Sequence, residues 1–370
     1  MVCNPCGFKG MKTLLVGVLL TLASASKAEW DALVFSDVMA SHVDGEHFSE
    51  KNVKPSIDLF VSGKKGPLLV LMEGFASEKA QHMERFQLGL NVTDSSRFWL
   101  GRHHTPFGYW HTQYHHGTYL QTSASRPALV ELGGAGGILP SHTTGGLFEV
   151  EVESQEAAWH YAVSLGYSSQ LSTSGGGHHG GGAISLNDFD LLNPKAGDHD
   201  MSAAFRLAYL PSALEETQLG AFWMQTDITL NESARDDLGV MPNQHISLDI
   251  AGVFANVDWS AVRLIGEWYY LETEVPEQSI IHRSQFSAAY LQLEYSHNER
   301  WTPYIRFDHT SGDEGDPYLH LLKAYPRSGQ ALGVRYDIAS RHAFKLEYTY
   351  REFEHSDSGR WLLSWSTAWP

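Results

Sequence analysis

The sequence has almost no cysteine: Cys3 and Cys6 are the only two in 370 residues. Both fall in an N-terminal segment that we expect to be removed. The mature chain would then have no thiol for a disulfide, a thiolate metal site or lipid attachment at the cleavage site. The C-x-x-C spacing of this pair, without a surrounding fold, is a weak signal for a redox or metal site. Stability must therefore come from backbone pairing and packing.

Long apolar runs are also missing beyond the N-terminus. No stretch approaches the ~18–20 uninterrupted apolar residues that a membrane-spanning helix needs. The one apolar run, 14–22, follows Lys12 and leads into a small-residue site that ends at Ala28. This combination is typical of a secretory signal peptide. We predict a signal peptide over 1–28, with Met11 as an alternative start, and one mature domain over 29–370.

Basic residues are scarce in that mature domain. The sequence has 26 Lys and Arg against 43 Asp and Glu. Three of the lysines, at 9, 12 and 27, fall in the signal segment, which has no acidic residue, so 23 basic residues face 43 acidic ones in the mature chain. Such an acidic chain is a poor partner for nucleic acid or anionic lipid and a better one for cations.

In contrast to these absences, apolar and polar residues alternate along many segments of the chain. Over the eight residues 344–351 the two kinds of side chain alternate, as expected of a strand with one wet face. A helical period of 3.6 would scatter these charges around the whole surface. The same pattern recurs at 86–92, 148–153, 203–209, 291–295 and 332–338. The mature chain is therefore predicted to be almost entirely strand.

The lengths of the links separate a membrane barrel from a soluble sandwich. Short links alternate with long ones at 40–53, 78–82, 104–143, 170–200, 229–243, 273–283, 312–328 and 355–359. Short turns at one end, long loops at the other and an even strand number are typical of an outer-membrane barrel. We predict an all-β transmembrane antiparallel β-barrel of about 16 strands, or fourteen without the weakest, 31–39. The other predicted strands are 54–62, 67–77, 83–92, 97–103, 144–153, 157–168, 201–211, 217–228, 244–256, 260–271, 284–296, 301–310, 330–338, 342–353 and 360–369.

Parity assigns the apolar side chains to the outer face, because residues i and i+2 of a strand share a face. Phe148, Val150 and Val152 are examples. Tryptophan and tyrosine gather near strand ends, as expected of aromatic girdles at the lipid–water interfaces; the core of a soluble sandwich is the alternative. The predicted girdle residues are Trp99, Trp223, Trp259, Trp268, Tyr269, Tyr270, Trp301, Trp361, Trp365 and Trp369.

The opposite parity carries charge. Each unpaired buried ion costs several kcal/mol, so this many charges predict a wet interior, and their surplus of acids predicts a mild cation preference. Glu149, Glu151 and Glu153 would form a negative rail, unless arginines on adjacent strands pair with them. The inward set is Asp58, Glu73, Arg85, Glu149, Glu151, Glu153, Arg206, Asp249, Arg263, Glu267, Glu294, Arg306, Asp308, Arg335, Asp337, Lys345, Glu347 and Arg351.

The third long link, 104–143, is rich in histidine and aromatic residues. A loop that only faced solvent would be more acidic and less aromatic. We therefore predict that this third extracellular loop folds into the lumen and narrows it. The predicted pore-lining and constriction residues are Arg102, His103, His104, Tyr109, Trp110, His111, His115, His116, Glu149, Glu151, Glu153, Arg206, Arg263, Glu267, Arg306, Asp308 and Arg335.

The histidines leave three readings open: pore lining, packing against aromatics, and a transition-metal site. His111 and His115 are four residues apart and would share a helix face. His178 and His179 lie in a glycine-rich run of the next long loop, which also carries several aspartates. Imidazole and carboxylate together suit Zn, Cu or Ni. These four histidines are the predicted ligands, although no fixed ligand spacing supports them, and no other cofactor is predicted.

By topology the chain resembles Gram-negative porin-type outer-membrane proteins of about sixteen strands. The signal peptide, strand rhythm, inward third loop and aromatic last strand 361–369 carry the resemblance. In such porins the third loop forms the constriction, and an aromatic final residue helps assembly. Here Pro370 follows Trp369, and the acidic Pro-Glu-Phe-Gly-Gly motif of the third loop is missing. The Gly-Arg-His-His stretch at 101–104 is similar to one in uncharacterised porin-like proteins.

The resemblance implies a location in the Gram-negative outer membrane, with lipid and lipopolysaccharide around the barrel. It also implies a homotrimer and a passive channel for small hydrophilic solutes or cations, and not an enzyme.

Two other function classes stay open. A barrel enzyme of the lipase or protease type would place a histidine beside serine or aspartate at the rim. His309 with Asp308 and Ser311, or His245 with Asp249, are candidates, yet no G-x-S-x-G or H-E-x-x-H motif is present. A scaffold barrel would need a surface for a periplasmic partner, and the tight turns offer little.

Overall fold

The computed structural model describes residues 28–44, 52–78, 81–114, 118–132, 139–173, 184–191, 197–212, 216–239, 244–277, 280–312, 316, 318–321 and 325–370. The predicted signal peptide, apart from Ala28, lies outside these residues. Across the ranges described, no helix is both long and apolar enough to cross a membrane.

Strands dominate the described residues, and sixteen of them form one closed antiparallel barrel. Each barrel strand pairs with the next, β7 pairs with β10, and β1 pairs with both β2 and β18. The strands are β1 (Glu29–Val43), β2 (Val53–Lys65), β3 (Leu68–Ser77), β4 (Gln81–Thr93), β5 (Ser96–His104), β6 (His142–Glu153), β7 (Ala157–Tyr167), β8 (Gln170–Thr173), β9 (Ile184–Asn187), β10 (Met201–Pro211), β11 (Gln218–Leu230), β12 (His245–Trp259), β13 (Val262–Glu277), β14 (Ile280–Tyr295), β15 (Trp301–Gly312), β16 (Ser328–Ala339), β17 (His342–Glu352) and β18 (Asp357–Trp369).

The prediction of a sixteen-stranded barrel is confirmed, and the fourteen-stranded alternative is wrong. β1 was the weakest pattern, yet it closes the barrel, because Ser36 lies opposite both Ile57 of β2 and Thr367 of β18. The two extra strands, β8 and β9, form a hairpin within the link from β7 to β10.

Two predicted long links are short. The link between β3 and β4 covers only 78–80, and that between β13 and β14 only 278–279. β13 and β14 keep pairing up to Glu277 and Ile280. The strands continue past the apolar band into a region where the outer side chains are polar, and that loss of alternation suggested a loop.

The described helices are short and lie in the long links. They are α1 (Trp110–Gln113) and α2 (Ala128–Glu131) in the third loop, α3 (Glu232–Leu238) after β11, and a 3-10 turn at Leu319–Leu321. Asn231 caps α3 by accepting a hydrogen bond from the Ala234 N–H at 2.8 Å, which satisfies one of the free donors of the first turn.

The outer face carries an exposed apolar band between two aromatic girdles. Near the short turns, Trp159 packs on Tyr209 with ring centroids 4.8 Å apart, and Trp301 packs on Tyr336 at 4.4 Å. Near the long loops, Trp361 packs with its neighbour on β17 at 4.9 Å. A band of this kind fits the hydrocarbon layer of a membrane.

Two predicted girdle residues do not belong to this band. Trp99 and Tyr269 are buried on the inner face. Trp99 donates a hydrogen bond from Nε1 to Glu149 at 2.8 Å, and Tyr269 donates from its hydroxyl to Glu267 at 3.0 Å. Both aromatics have a polar group that finds its partner inside the barrel, which is why they can face inward.

The inward prediction for Asp249 is wrong. Asp249 is exposed on the outer face opposite Glu272, while Ile246 and Leu248 point inward with 0% exposure. At the long-loop end of β12, the outer side chains are exposed and polar, whereas the inner side chains belong to a packed apolar core. The usual assignment of polar residues to the lumen therefore reverses there.

That packed core lies inside the barrel. It joins Trp110 of the third loop to inward side chains such as Met224, Leu271 and Tyr290, together with Tyr318. The apolar core therefore fills the interior on the side of β10–β17, and, among the described residues, it does not extend over the inner face of β1–β7.

Candidate channel interior

The start of α1 is held by one buried carboxylate on β13. Glu267 accepts hydrogen bonds from the backbone N–H groups of Tyr109 and Trp110, both at 2.8 Å. It also accepts hydroxyl hydrogen bonds from Tyr269 at 3.0 Å and Tyr290 at 2.8 Å. The Glu267 residue is only 3% exposed. Four hydrogen bonds therefore satisfy both oxygens of this buried carboxylate and fix the loop to the wall.

A second carboxylate holds the middle of the third loop. Glu347 on β17 accepts from the backbone N–H groups of Ala124 at 3.1 Å and Ser125 at 3.3 Å. The Ser125 hydroxyl also donates to it, and the Tyr304 hydroxyl donates at 2.6 Å. Glu347 has no exposed surface.

Arginine supplies the complementary contacts to the loop carbonyls. Arg306 donates to the carbonyl oxygens of Ser125 at 3.1 Å and Arg126 at 3.2 Å. Its Nε lies 3.2 Å from Asp308, and Asp308 in turn accepts from the Ala128 N–H at 2.9 Å. The planar guanidinium can satisfy several acceptors at once, so it suits a buried anchor.

Other arginines of the barrel wall also contact the third loop. Arg335 donates to the carbonyls of Tyr119 at 2.6 Å and Gln121 at 3.0 Å. Arg206 donates to the Gly108 carbonyl at 3.0 Å. Arg263 donates to the Tyr109 hydroxyl at 3.0 Å and to Asn256 at 2.7 Å, while Arg351 makes a bidentate pair with Glu131. The inward charges of β10–β17 thus bind the third loop.

The inner face of β1–β7 borders open space, which is called the passage below. Two cavities, of about 420 Å³ and about 560 Å³, lie mainly along β1–β7. Both are lined by Leu71, Arg85 and His104 from the wall, and by Thr112 and Gln113 from the third loop. The other polar or charged lining residues are Asp31, Ser62, Glu73, Gln87, Ser95, Arg97, His103, Glu149, Glu151, His160, Arg206 and Gln218.

The negative charges of the glutamates that line this passage are partly balanced by neighbouring basic side chains. Glu151 lies 3.0 Å from His160, and Arg97 lies opposite Glu149 in the register of β5 and β6. Glu149 also accepts from Trp99, and Glu153 is exposed at the turn. The three glutamates therefore follow one wall, with one histidine and one arginine beside them.

The predicted histidines fall in different surroundings. His103 is 1% exposed, with Nε2 2.7 Å from the Ser164 hydroxyl. His111 stacks on Phe107 at 4.4 Å and donates from Nε2 to the Ser141 carbonyl at 2.8 Å. Arg102 donates to two backbone carbonyls, those of Met83 and Phe189. His115, His116, His178 and His179 lie outside the described residues.

Asp188 approaches this region from the link after β9. Its carboxylate lies 3.1 Å from His142 Nδ1 and accepts from the Ser169 hydroxyl at 2.8 Å. Burial alone would raise the pKa of the Asp188 carboxyl. The charge and hydrogen bond of His142, and the charge of Arg102, outweigh burial and lower that pKa.

Several lining residues were missed from the sequence. Arg97 and His160 share the inward parity of His103 and Ser164 on their own strands, so strict parity counting would have found them. Thr112 and Gln113 belong to the loop, where no period applies.

The contacts that the structure describes for the two enzyme candidates differ from the predicted groupings. Asp308 points inward and binds Ala128 and Arg306, whereas His309 is exposed on the other face. His245 lies 3.5 Å from Asp200 and 3.7 Å from Asp227, and all three are largely exposed. The described ion pairs of His245 are thus with aspartates other than Asp249, the partner predicted for it.

No family model matches this sequence, and neither does any curated protein. Solved structures do match its fold. The outer membrane channel DcaP of Acinetobacter baumannii is 10% identical, with a TM-score of 0.58 over 94% of this chain and 99% of its own. An anion-selective porin from Comamonas acidovorans is 9% identical, with a TM-score of 0.58 over 93% and 100%. The trimer form of OmpT from Vibrio cholerae is 9% identical, with a TM-score of 0.57 over 92% and 99%.

The chain has the fold of Gram-negative outer-membrane porins. Identities this low establish the fold alone. The porin fold accounts for the closed barrel, and the exposed apolar band between aromatic girdles is the surface that an outer-membrane barrel presents to lipid.

Proposed function

We propose that this chain is an outer-membrane channel for the passive diffusion of small hydrophilic solutes, with a mild preference for cations. The passage along β1–β7 carries this proposal. Its walls present charged and polar side chains to two cavities that share five lining residues, and unpaired charges favour a space that water fills. The fold of the channel and porin neighbours supports the same function.

The third loop would set the width of this channel. Thr112 and Gln113 of α1 face the wall residues Arg85 and His104 across both cavities. Glu149, Glu151, Arg206 and the two histidines at 103 and 104 would line the passage. Glu267, Arg306, Asp308, Arg335 and Arg263 would act indirectly, because they hold the loop in place.

The preference for cations would be small. Asp31, Glu149 and Glu151 line the passage, and a ring of acids favours cations. Arg97 and Arg206 oppose them, while Arg85 is paired with Glu73. The surplus of acids is slight.

Export and assembly belong to the same proposal. Cleavage of a signal peptide after Ala28 would leave Glu29, the first residue of β1, as the new N-terminus, which Edman sequencing of the purified protein would show. A homotrimer is supported by the trimer form of one structural neighbour, and light scattering in detergent would measure the mass of the complex. Lipid and lipopolysaccharide would surround the apolar band.

Planar bilayer recording tests the function. Purified, folded protein should produce discrete open-channel current steps, and a salt gradient should give a small cation-leaning reversal potential. Protein unfolded by heat before addition is the control and should give no steps. Folded protein that stays silent at all voltages would contradict the channel.

A further inference from the structure

Three side chains at the long-loop ends of β4, β5 and β6 converge on one point. Glu84, His104 and His142 each offer a ligand atom, and these atoms lie within 4.8 Å of one another. Within the described ranges, this is the one such group of three. None of the three was among the metal ligands predicted from the sequence.

The sheet register explains the convergence. His104 lies directly opposite His142 in the pairing of β5 with β6. Phe86 lies opposite Arg102 in the pairing of β4 with β5, and Glu84 and His104 each lie two residues further towards the long-loop ends of their strands. Opposite residues of neighbouring strands are about 4.5–5.5 Å apart at Cβ, so the three form a row across the long-loop ends of β4, β5 and β6.

The row is well shielded from water. The side chains of Glu84, His104 and His142 are 4%, 8% and 8% exposed. His104 nevertheless lines both cavities of the passage. A small ion could therefore enter from the lumen, while the protein excludes most competing water.

A surrounding carboxylate orients one of the imidazoles. Asp188 lies 3.1 Å from Nδ1 of His142, and Nε2 of the same ring lies 3.0 Å from Glu84. A carboxylate that accepts from one ring nitrogen fixes the tautomer and directs the other nitrogen at a metal. Ser169 holds Asp188 by donating a hydrogen bond at 2.8 Å.

We propose that Glu84, His104 and His142 bind one divalent transition-metal ion of the Zn²⁺ class, with a fourth position open to the passage. Two imidazoles and one carboxylate are ligands that Zn²⁺ accepts, with three protein ligands leaving one position for water. Bonds of about 2.0–2.2 Å in a tetrahedron separate the ligand atoms by about 3.3–3.6 Å. The ligand atoms lie within 4.8 Å of one another in this structure, so they would move closer together on binding the ion.

Zn²⁺ and Co²⁺ titration of the purified, chelator-treated barrel in detergent tests the site. Calorimetry should find a tight site for one Zn²⁺, and Co²⁺ in it should give the intense visible absorption of four-coordination. Glu84→Gln, His104→Gln and His142→Gln should each abolish that absorption. Asp188→Asn should weaken Zn²⁺ binding about 10–100-fold, as expected for loss of an orienting carboxylate.

His160→Gln is the matched control, because His160 lies 3.0 Å from Glu151 beside the same passage but, among the described residues, belongs to no group of three ligand atoms. It should leave Zn²⁺ affinity and the Co²⁺ spectrum unchanged. Heat-modifiable migration on gels would show that each variant is folded, and the nearly isosteric Glu84→Gln is the safest of them.

Two results would overturn the proposal. Tight binding that survives in all three folded ligand variants would place the ion at other histidines. A folded wild-type protein that binds neither Zn²⁺ nor Co²⁺ would make His142 an ion-pair bridge between Glu84 and Asp188. Neither result depends on channel activity, so the metal site and the channel are tested separately.

Discussion

One buried carboxylate shows how single residues hold the interior in place. Glu267 accepts from four donors at 2.8–3.0 Å. Glu267→Ala would leave two backbone N–H groups and two hydroxyls without that acceptor. We expect a loss of about 3–5 kcal/mol in the free energy of unfolding, as for breaking a buried charged network, measured by urea titration in detergent.

The control for this change is on the same strand. Glu272→Ala removes an exposed carboxylate on the outer face and should change the unfolding free energy little. Equal losses in the two variants would show that Glu267 is not an anchor.

Gln113 tests which loop residues face the passage. It is exposed and lines both cavities. Gln113→Trp should lower the single-channel conductance because a larger side chain occupies the passage, and Gln113→Ala should raise it. Glu232→Trp, on the exposed face of α3, should leave conductance unchanged. If neither Gln113→Trp nor Gln113→Ala changes the conductance, α1 lies outside the path of the ions.

Only part of this site is readable from the sequence at the residue scale. The alternation along each strand correctly predicted that the side chains of Glu267, Arg306 and Glu347 face the barrel interior. Whether an inward charge meets water or a loop depends on packing between segments far apart in the chain. Glu267 and Trp110 are 157 residues apart, and no local period encodes their contact. The row of Glu84, His104 and His142 likewise needs the register of three strands.

At the scale of elements, the strands were predicted well because lipid imposes a strict alternation. The prediction failed where the lipid ends. On β12, Ala251 and Val253 are exposed and apolar, whereas Asp249 and Ser247 face outward and are polar. The same change occurs on β13 between Tyr270 and Glu272, which pair with Ala251 and Asp249. A sequence reading that looked for this switch could have placed the membrane boundary.

The third loop can be tested as an element. Deleting 109–117 removes α1, with Thr112 and Gln113, from the passage. We expect a larger single-channel conductance, because the loop side of both cavities is lost, and a lower melting temperature, because Trp110 leaves the core. Bilayer recording and heat-modifiable gel migration would measure the two effects.

Deleting α3, residues 232–238, is the matched control. Ala234 of this helix is fully buried in the same core, so stability should fall here too. The passage along β1–β7 should keep its conductance. If both deletions open the channel equally, general loosening explains the effect rather than removal of a constriction.

At the scale of the whole molecule, the barrel is filled unevenly. Charged side chains of β10–β17 bind the third loop, and an apolar core seals that side. The charges of β1–β7 remain beside the cavities. Selectivity should therefore depend on the charges that line the cavities, which are those of β1–β7 together with Arg206, and not on the charges that hold the third loop.

This asymmetry gives a test with two double variants of equal charge change. Glu149→Lys with Glu151→Lys reverses two charges beside the passage. Asp249→Lys with Glu272→Lys reverses two on the outer face. The first should turn the reversal potential in a salt gradient towards anions. The second should leave it unchanged, because exposed charges beyond about 10 Å are largely screened at 0.1 M salt. Equal shifts would mean that net charge, and not the wall of β1–β7, sets the selectivity, and ions would then have to follow a different path.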